Sequence, residues 1–144
     1  MDKIIIGIDP GVHTGFCSYN ATRKRIELLK TFSFWEAIEW LNVYNHTMNR
    51  PSVIMEDPNG NRPVFSRGID GRRSSKIAQN VGANKRDAIL IAEYCERNNI
   101  PITGVTPTAR SMTKMKAEAF KTLTGWGRQS SEHSRDAAML VWGM

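Results

Sequence analysis

Apolar residues form short runs along the first part of the chain, and each run predicts a β-strand. Residues 4–8 are apolar except for Gly7, and apolar side chains at successive positions indicate a central strand covered on both faces. Pro10 and Gly11 follow, which predicts a turn. A second strand over 16–19 and a third over 26–32 would then continue the sheet as antiparallel hairpins.

Helical spacing appears after the third run. Ser33 and Glu36 have the spacing of a capping box, and a helix over 34–44 places Phe34, Ile38 and Leu41 on one face. The pattern then predicts a strand over 52–57, a helix over 77–97 and a strand over 102–105. Three further helices are predicted: one that Thr106 caps with Pro107 at its first position, one over 113–123, and a last one capped by Ser130 or Ser131.

These elements predict one α/β domain over residues 1–144. The main order is β-β-β-α-β-α-β-α-α, and no internal repeat or linker interrupts it. We expect a mixed sheet of about five strands, the first three antiparallel, with helices packed against it.

The charge is concentrated in one segment. The chain has 144 residues, a net charge of +6 and a pI near 9.6, which favours a polyanionic partner. Residues 59–76 contain one acid and a lone aromatic residue, Phe65. The basic residues of this segment are Arg62, Arg67, Arg72, Arg73 and Lys76. We expect a long basic loop that contacts phosphates.

The two cysteines, Cys17 and Cys95, lie in segments predicted to be a core strand and a core helix. We expect them to be buried thiols in a reducing, cytoplasmic compartment, and two separated cysteines do not suggest a zinc site. No stretch is long and apolar enough to span a bilayer, so we expect no membrane association.

Three carboxylates and one histidine form the candidate chemistry. Asp9 and Glu56 each follow a short apolar strand, and His133 and Asp136 are three residues apart at the start of the last helix. If the two strands are parallel neighbours, these side chains lie near one edge of the sheet. Such a set suits Mg²⁺ or Mn²⁺, and two ions about 3.5–4 Å apart could assist phosphodiester hydrolysis.

Each residue also has a simpler interpretation. Asp9 alone could cap a turn, Asp136 could complement the helix dipole, and His133 could be a capping or solvent-facing residue. Asp57 should point away from Glu56, because side chains alternate along a strand. Two other histidines, at positions 13 and 46, are interpreted as a turn residue and a surface residue. The joint pattern is more specific than any of its members.

That joint pattern resembles the RuvC family of Holliday-junction resolvases, within the RNase H-like superfamily. The apolar strand into Asp-x-Gly and the later Thr-Gly match residues 4–15, and the family's second acid matches Glu56. Its helix with a glycine before a basic residue matches 81–88. Its late lysine matches Lys116, with Lys114 as the competitor, and its final His-x-x-Asp matches His133 and Asp136.

The resemblance implies an RNase H-like fold and a metal-dependent endonuclease that cuts branched DNA as a homodimer. It implies that Asp9, Glu56, His133 and Asp136 bind two Mg²⁺ or Mn²⁺ ions and that Lys116 is catalytic. Phe65 would be the candidate wedge in the junction. The other expected DNA contacts are Arg62, Arg67, Arg72, Arg73, Lys76, Lys85, Arg86 and Lys114. The segment after Glu56 is longer and richer in glycine and arginine than in the bacterial enzymes. The chain is also short, as in viral or mobile-element relatives, which suggests that type.

Three alternatives remain open at this stage. Asp-x-Gly followed by Thr-Gly also resembles the phosphate loop of actin-like and sugar-kinase ATPases, but the further glycine-rich phosphate motifs of that class are missing. A non-catalytic nucleic-acid binder would not need four candidate ligands. An RNase H-like nuclease that cuts flapped DNA, RNA or RNA–DNA hybrid is compatible with every motif above.

Overall fold

The computed structural model describes residues 1–47, 50–57, 82–106 and 114–144, with side chains in its second helix described from residue 85 onward. The basic segment over 59–76 therefore lies outside the described residues. The same holds for the predicted helix start at 77–81 and for the helix expected after Pro107.

Five strands form one mixed sheet. They are β1 (Ile4–Asp9), β2 (Thr14–Asn20), β3 (Arg25–Phe32), β4 (Ser52–Glu56) and β5 (Ile102–Val105), and their spatial order is β3-β2-β1-β4-β5. The first three strands are antiparallel, whereas β4 runs parallel to β1 and β5 runs parallel to β4. The predicted mixed sheet of about five strands and its antiparallel start are confirmed.

Four helices cover the two faces of this sheet in the described part of the chain. They are α1 (Phe34–Asn45), α2 (Gly82–Arg97), α3 (Ala117–Thr124) and α4 (Glu132–Val141). Helices α1 and α2 cover one face and α3 and α4 cover the other. Because both faces are covered, β1 has buried side chains at successive positions, as its continuous apolar run predicts.

The core consists of two apolar clusters separated by the sheet. Under α1 and α2 lie Ile6, Ile8, Phe16, Leu41 and Ile91, which are all fully buried. Under α3 and α4 lie the opposite faces of the same strands together with Phe120, Leu140 and Val141. Alternation along β1 thus directs its even-numbered residues to one cluster and its odd-numbered residues to the other.

The cysteines lie where the pattern predicts them. Both Cys17 on β2 and Cys95 on α2 are free thiols with no exposed surface. Burial raises the pKa of both thiols, so they stay protonated at neutral pH. They contribute to the core as small apolar side chains.

Local sequence sets the helix ends. Ser33 caps α1 in a capping box with Glu36, as predicted. Ser131 caps α4, and its hydroxyl accepts the backbone N–H of Ser134 at 3.0 Å. Of the two serines that the sequence left open, Ser131 is therefore the cap.

The third helix begins later than predicted. The sequence places a helix over 113–123, but α3 starts at Ala117, and Lys116 is its extended N-cap. The reason lies at Lys114, whose φ of 67° is left-handed and interrupts a right-handed helix. Thr113 lies outside the described residues.

None of the helices that the structure describes is long and apolar enough to cross a membrane.

Candidate active site

Asp9 and Glu56 lie at the carboxyl ends of two neighbouring parallel strands. The last paired residues of β1 and β4 are Ile8 and Met55, and each acid follows directly. Ile8 and Met55 point into the cluster under α1 and α2. By alternation both acids point to the opposite face, beneath α4. The expected position of this pair at one sheet edge is confirmed.

Two glycines allow α4 to approach the sheet closely. A Cβ atom at Gly7 on β1 would overlap the backbone carbonyl oxygen of Ala137, and one at Gly15 on β2 would overlap that of His133. Helix α4 therefore lies backbone against backbone over β1 and β2. This contact fixes the distance between α4 and the sheet, and with it the position of the side chains in the first turns of α4 relative to Asp9.

Asp136 and His133 project from those first turns towards the strand ends. The His133 Nδ1 atom lies 3.3 Å from the Asp9 Oδ2 atom, and Asp136 is 9% exposed. A pocket of about 390 Å³ opens above these groups. The charged and polar side chains that line it are Asp9, His13, Glu56, Lys114, Glu132, His133 and Asp136. All four predicted metal ligands therefore meet in one pocket.

The carboxylates interact strongly with one another. Burial raises the pKa of Glu56 to about 7, and the nearby charges of Asp9 and Asp136 act in the same direction. Burial also raises the pKa of Asp9, and the Asp136 charge adds to this, although the hydrogen bond with His133 opposes it. Negative charge is therefore costly in this pocket when no cation neutralises it.

Donor chemistry in the pocket fits a hard divalent cation. Three carboxylates and one imidazole offer mainly oxygen ligands, which Mg²⁺ and Mn²⁺ prefer. The mutual repulsion of the carboxylates is what such an ion relieves. Across the described ranges, however, no three aspartate, glutamate, histidine or cysteine side chains already stand in the arrangement of a metal site. The chemical types of these residues suit such an ion, and their side chains would have to adjust to bind it.

Two residues of α4, Asp136 and Glu132, bond a lysine that lines the pocket, Lys114. The backbone N–H of Lys114 donates to the Asp136 Oδ1 atom at 2.8 Å, and the Lys114 ammonium lies 3.4 Å from the Glu132 Oε1 atom. The Lys114 charge acts to lower the pKa of Glu56, against the larger opposing effects of burial and of the neighbouring carboxylates. The alternative, Lys116, caps α3, is exposed and does not line the pocket.

Sequence reasoning did not assign two of the pocket residues to the site. His13, interpreted as a turn residue, lies in the β1–β2 turn with its ring 6.2 Å from that of His133. Glu132 precedes His133 on α4. The tight turn after Asp9 and the helical spacing of Glu132 and Asp136 were the available signals, but neither shows which way a side chain points. Asp57 is 2% exposed and does not line the pocket, in agreement with strand alternation.

Most predicted DNA contacts lie outside the described residues. These are Arg62, Phe65, Arg67, Arg72, Arg73 and Lys76. Lys85 and Arg86 lie in the first turn of α2 and do not line the pocket. Lys114 does line it. The predicted DNA contacts thus include one residue that shares the pocket with the carboxylates.

The sheet order, the flanking helices and the acids at the strand ends define an RNase H-like fold. Within that class the structure is similar to that of T. thermophilus RuvC in complex with Holliday junction substrate, with a TM-score of 0.58 and 18% sequence identity. The match covers 96% of this chain and 89% of that chain, so it shows a RuvC-like fold. No protein-family model matches the sequence, and no curated protein matches it.

Proposed function

We propose that this chain is a metal-dependent endonuclease that cleaves phosphodiester bonds in branched DNA, with four-way junctions as its main substrate. One observation carries the proposal: Asp9, Glu56 and Asp136 come from three separate elements and meet in one pocket of a RuvC-like fold. Their charges destabilise one another there, as the raised pKa of Glu56 indicates. A pocket of this kind is expected where a bound cation compensates the repulsion.

Asp9, Glu56, Asp136 and His133 would hold the metal, which we expect to be two Mg²⁺ or Mn²⁺ ions. Such ions supply an activated water and stabilise charge on the leaving oxygen. The chain's own contribution is to hold the carboxylates on rigid strand and helix ends. Gly7 and Gly15 contribute by letting the helix that bears Asp136 lie against the strand that bears Asp9.

We assign to Lys114 the role of stabilising the negative charge that develops on the phosphate during cleavage. Its backbone N–H donates a hydrogen bond to Asp136, which links the lysine directly to one of the carboxylates. Its ammonium faces the pocket and pairs only with the exposed Glu132 among the described side chains, at 3.4 Å. An incoming phosphate would compete with Glu132 for the ammonium, and an ammonium placed beside the reacting phosphate stabilises the transition state.

Branched DNA is the substrate class best supported by charge and similarity. The net charge of +6 favours a polyanion, and the RuvC structure to which this fold is similar is in complex with a Holliday junction. We propose that the basic segment over 59–76 binds phosphates. A homodimer follows from the substrate, because a two-fold symmetric junction needs two cuts and a C2 dimer supplies two sites.

The compartment follows from the thiols. Two buried free cysteines suit a reducing compartment, and we propose the cytoplasm, with access to DNA. The viral or mobile-element origin remains a prediction from the sequence.

A cleavage panel tests the proposal. Four-way junction, flap, duplex, single strand and RNA–DNA hybrid are incubated with the protein in Mg²⁺, in Mn²⁺ and in EDTA. We expect paired cuts in the four-way junction with either ion and none in EDTA. Preferred cutting of the hybrid would instead assign the site to an RNase H-like activity, and cutting in EDTA would contradict metal dependence.

The dimer has its own test. Light scattering at micromolar concentration, with and without junction DNA, should give the mass of two chains. A monomer under both conditions would contradict paired cutting by one assembly and leave the nuclease site itself intact.

A further inference from the structure

The turn between β1 and β2 forms part of the wall of the candidate active-site pocket. Residues 9–13 line the pocket, and the first turns of α4 line it as well. Two contacts hold the turn in place. The buried Thr14 hydroxyl donates to the Gly11 carbonyl oxygen at 3.0 Å, and Gly15 lies against the backbone of α4. The backbone of His13, between these contacts, is therefore positioned before any substrate binds.

The His13 side chain is exposed in this pocket and lies close to the proposed metal ligands. The centre of its ring is 6.2 Å from that of His133, whose Nδ1 atom lies 3.3 Å from the Asp9 Oδ2 atom. In the part of the chain that the structure describes, neither nitrogen of the His13 ring has a hydrogen-bond partner. An imidazole carries an N–H group whether or not it is charged, so His13 offers an unused hydrogen-bond donor.

Helical geometry places His13 and Lys114 on different sides of Asp136. Successive residues of an α-helix are about 100° apart around its axis, so Asp136 projects between Glu132 and His133, about 40° from the first and about 60° from the second. The Lys114 ammonium lies 3.4 Å from the Glu132 Oε1 atom, whereas the His13 ring lies beside that of His133. The two donors therefore flank the Asp136 carboxylate, one on each side.

A DNA strand extends in both directions from the phosphate that is cut. The carboxylates with their bound ions, and Lys114, are assigned above to that phosphate. The donor on the other side of Asp136 is His13, which is then next to the strand where it continues past the carboxylates. Hydrogen bonds from side chains to such phosphates fix the register of a strand without reading its bases.

We propose that His13 donates a hydrogen bond to a phosphate oxygen of the cut strand, at a phosphate next to the one being cut. The contact holds the strand in the register that places the scissile phosphate over Asp9, Glu56 and Asp136. His13 is thus a substrate-binding residue, and this role needs neither a change of charge nor a bond to a metal. The inference rests on the proposed function, because it adds a substrate contact to the same site.

Three variants test the contact on a four-way junction in Mg²⁺. His13→Leu removes the donor at similar size, and His13→Gln keeps an N–H donor. His46→Leu is the control, since His46 is an exposed histidine at the end of α1. Both histidines are exposed, so thermal unfolding should be nearly the same for all variants and the wild type.

We expect His13→Leu to cut about 10-fold more slowly than the wild type at subsaturating protein, because a hydrogen bond to a charged oxygen is lost. His13→Gln should recover part of this rate, and His46→Leu should match the wild type. The Mg²⁺ concentration that gives the half-maximal rate should be the same for all four proteins.

A second measurement separates a phosphate contact from a packing effect. Junctions are prepared with one neutral methylphosphonate at a time, at the nearest phosphates on either side of the cut. At the phosphate that His13 contacts, the wild type and His13→Leu should cut at the same rate. At the other positions the difference between them should remain.

Equal rates for the wild type and His13→Leu on the unmodified junction would overturn the contact. So would a difference that persists with every methylphosphonate, or no recovery in His13→Gln. A higher Mg²⁺ requirement for His13→Leu would also overturn it and make His13 a metal ligand instead. These outcomes leave the proposed nuclease intact, whereas a wild type that cuts no branched DNA would refute the proposed function as well.

Discussion

The backbone of Gly15 lies so close to the carbonyl group of His133 that a side chain at position 15 would overlap the carbonyl oxygen. Gly15 pairs with Asp9 across the β1–β2 hairpin, and His133 lies in the first turn of the helix that also holds Asp136. The spacing between strand and helix thus sets the spacing between the carboxylates. The same packing contact therefore also sets the distance between the proposed metal ligands on the strand and on the helix.

Gly15→Ala should therefore damage both stability and activity. Overpacking of this kind costs about 1–3 kcal/mol of unfolding free energy, and here the obstacle is backbone that cannot rotate away. Chemical denaturation measures the loss, and single-turnover cleavage measures the displacement of His133. Gly127→Ala is the matched control, since its new Cβ would lie 3.8 Å from the Lys121 Cε atom, an ordinary contact. A Gly15→Ala protein as stable and active as the control would contradict the close packing.

The sequence predicted the acids at the strand ends but not the contacts that bring the helix to them. Asp9 and Glu56 each follow a short apolar run, and such a run by itself predicts a strand. Ser33 and Ser131 cap helices through residues only three positions away, so neighbouring residues are enough to predict these features. The tight contact at Gly15 depends on a helix distant in sequence, so no local pattern indicates it. The sequence predicted the four-ligand pocket only on the condition that β1 and β4 are parallel neighbours, and the structure shows that pairing.

The choice between Lys114 and Lys116 also depended on a feature that no local sequence pattern indicates. The family resemblance favoured Lys116 over Lys114, and the sequence predicts one helix that contains both lysines. The left-handed conformation at Lys114 starts the helix later and turns Lys114 into the pocket instead. A conformation with φ of 67° in a residue other than glycine is uncommon, and it is held here by the bond from the Lys114 N–H group to Asp136.

Replacing each lysine separately distinguishes the two assignments. Lys114→Ala should lower the single-turnover cleavage rate roughly 10²-fold, because an ammonium beside the reacting phosphate is lost. The backbone N–H that bonds Asp136 remains, so metal affinity should change little. Lys116→Ala should have a much smaller effect on the rate. The opposite order of the two effects would return the catalytic role to Lys116.

Stability without metal should depend on pH through Glu56. Its pKa is about 7 in the folded protein, above the usual value of 4.5, so the folded state binds more protons than the unfolded state between those pH values. Unfolding free energy should therefore fall as pH rises from about 4.5 to about 7, with the loss complete above that. Urea denaturation in EDTA across this range measures the trend. In Glu56→Gln this component should vanish, and an unchanged difference between pH 5 and pH 8 would show that Glu56 does not carry it.

The most direct measurement is the cleavage rate of a four-way junction by the Asp9→Asn, Asp136→Asn double variant in Mg²⁺. Asparagine keeps the shape of each side chain and removes its charge, so apo stability should hold or rise as repulsion with Glu56 is relieved. Junction binding should persist or strengthen, since less negative charge faces the phosphates. We predict a fall in cleavage rate of about 10²-fold or more, because the carboxylates position the metal. A correctly folded double variant that binds the junction and cuts it at the wild-type rate would contradict the account.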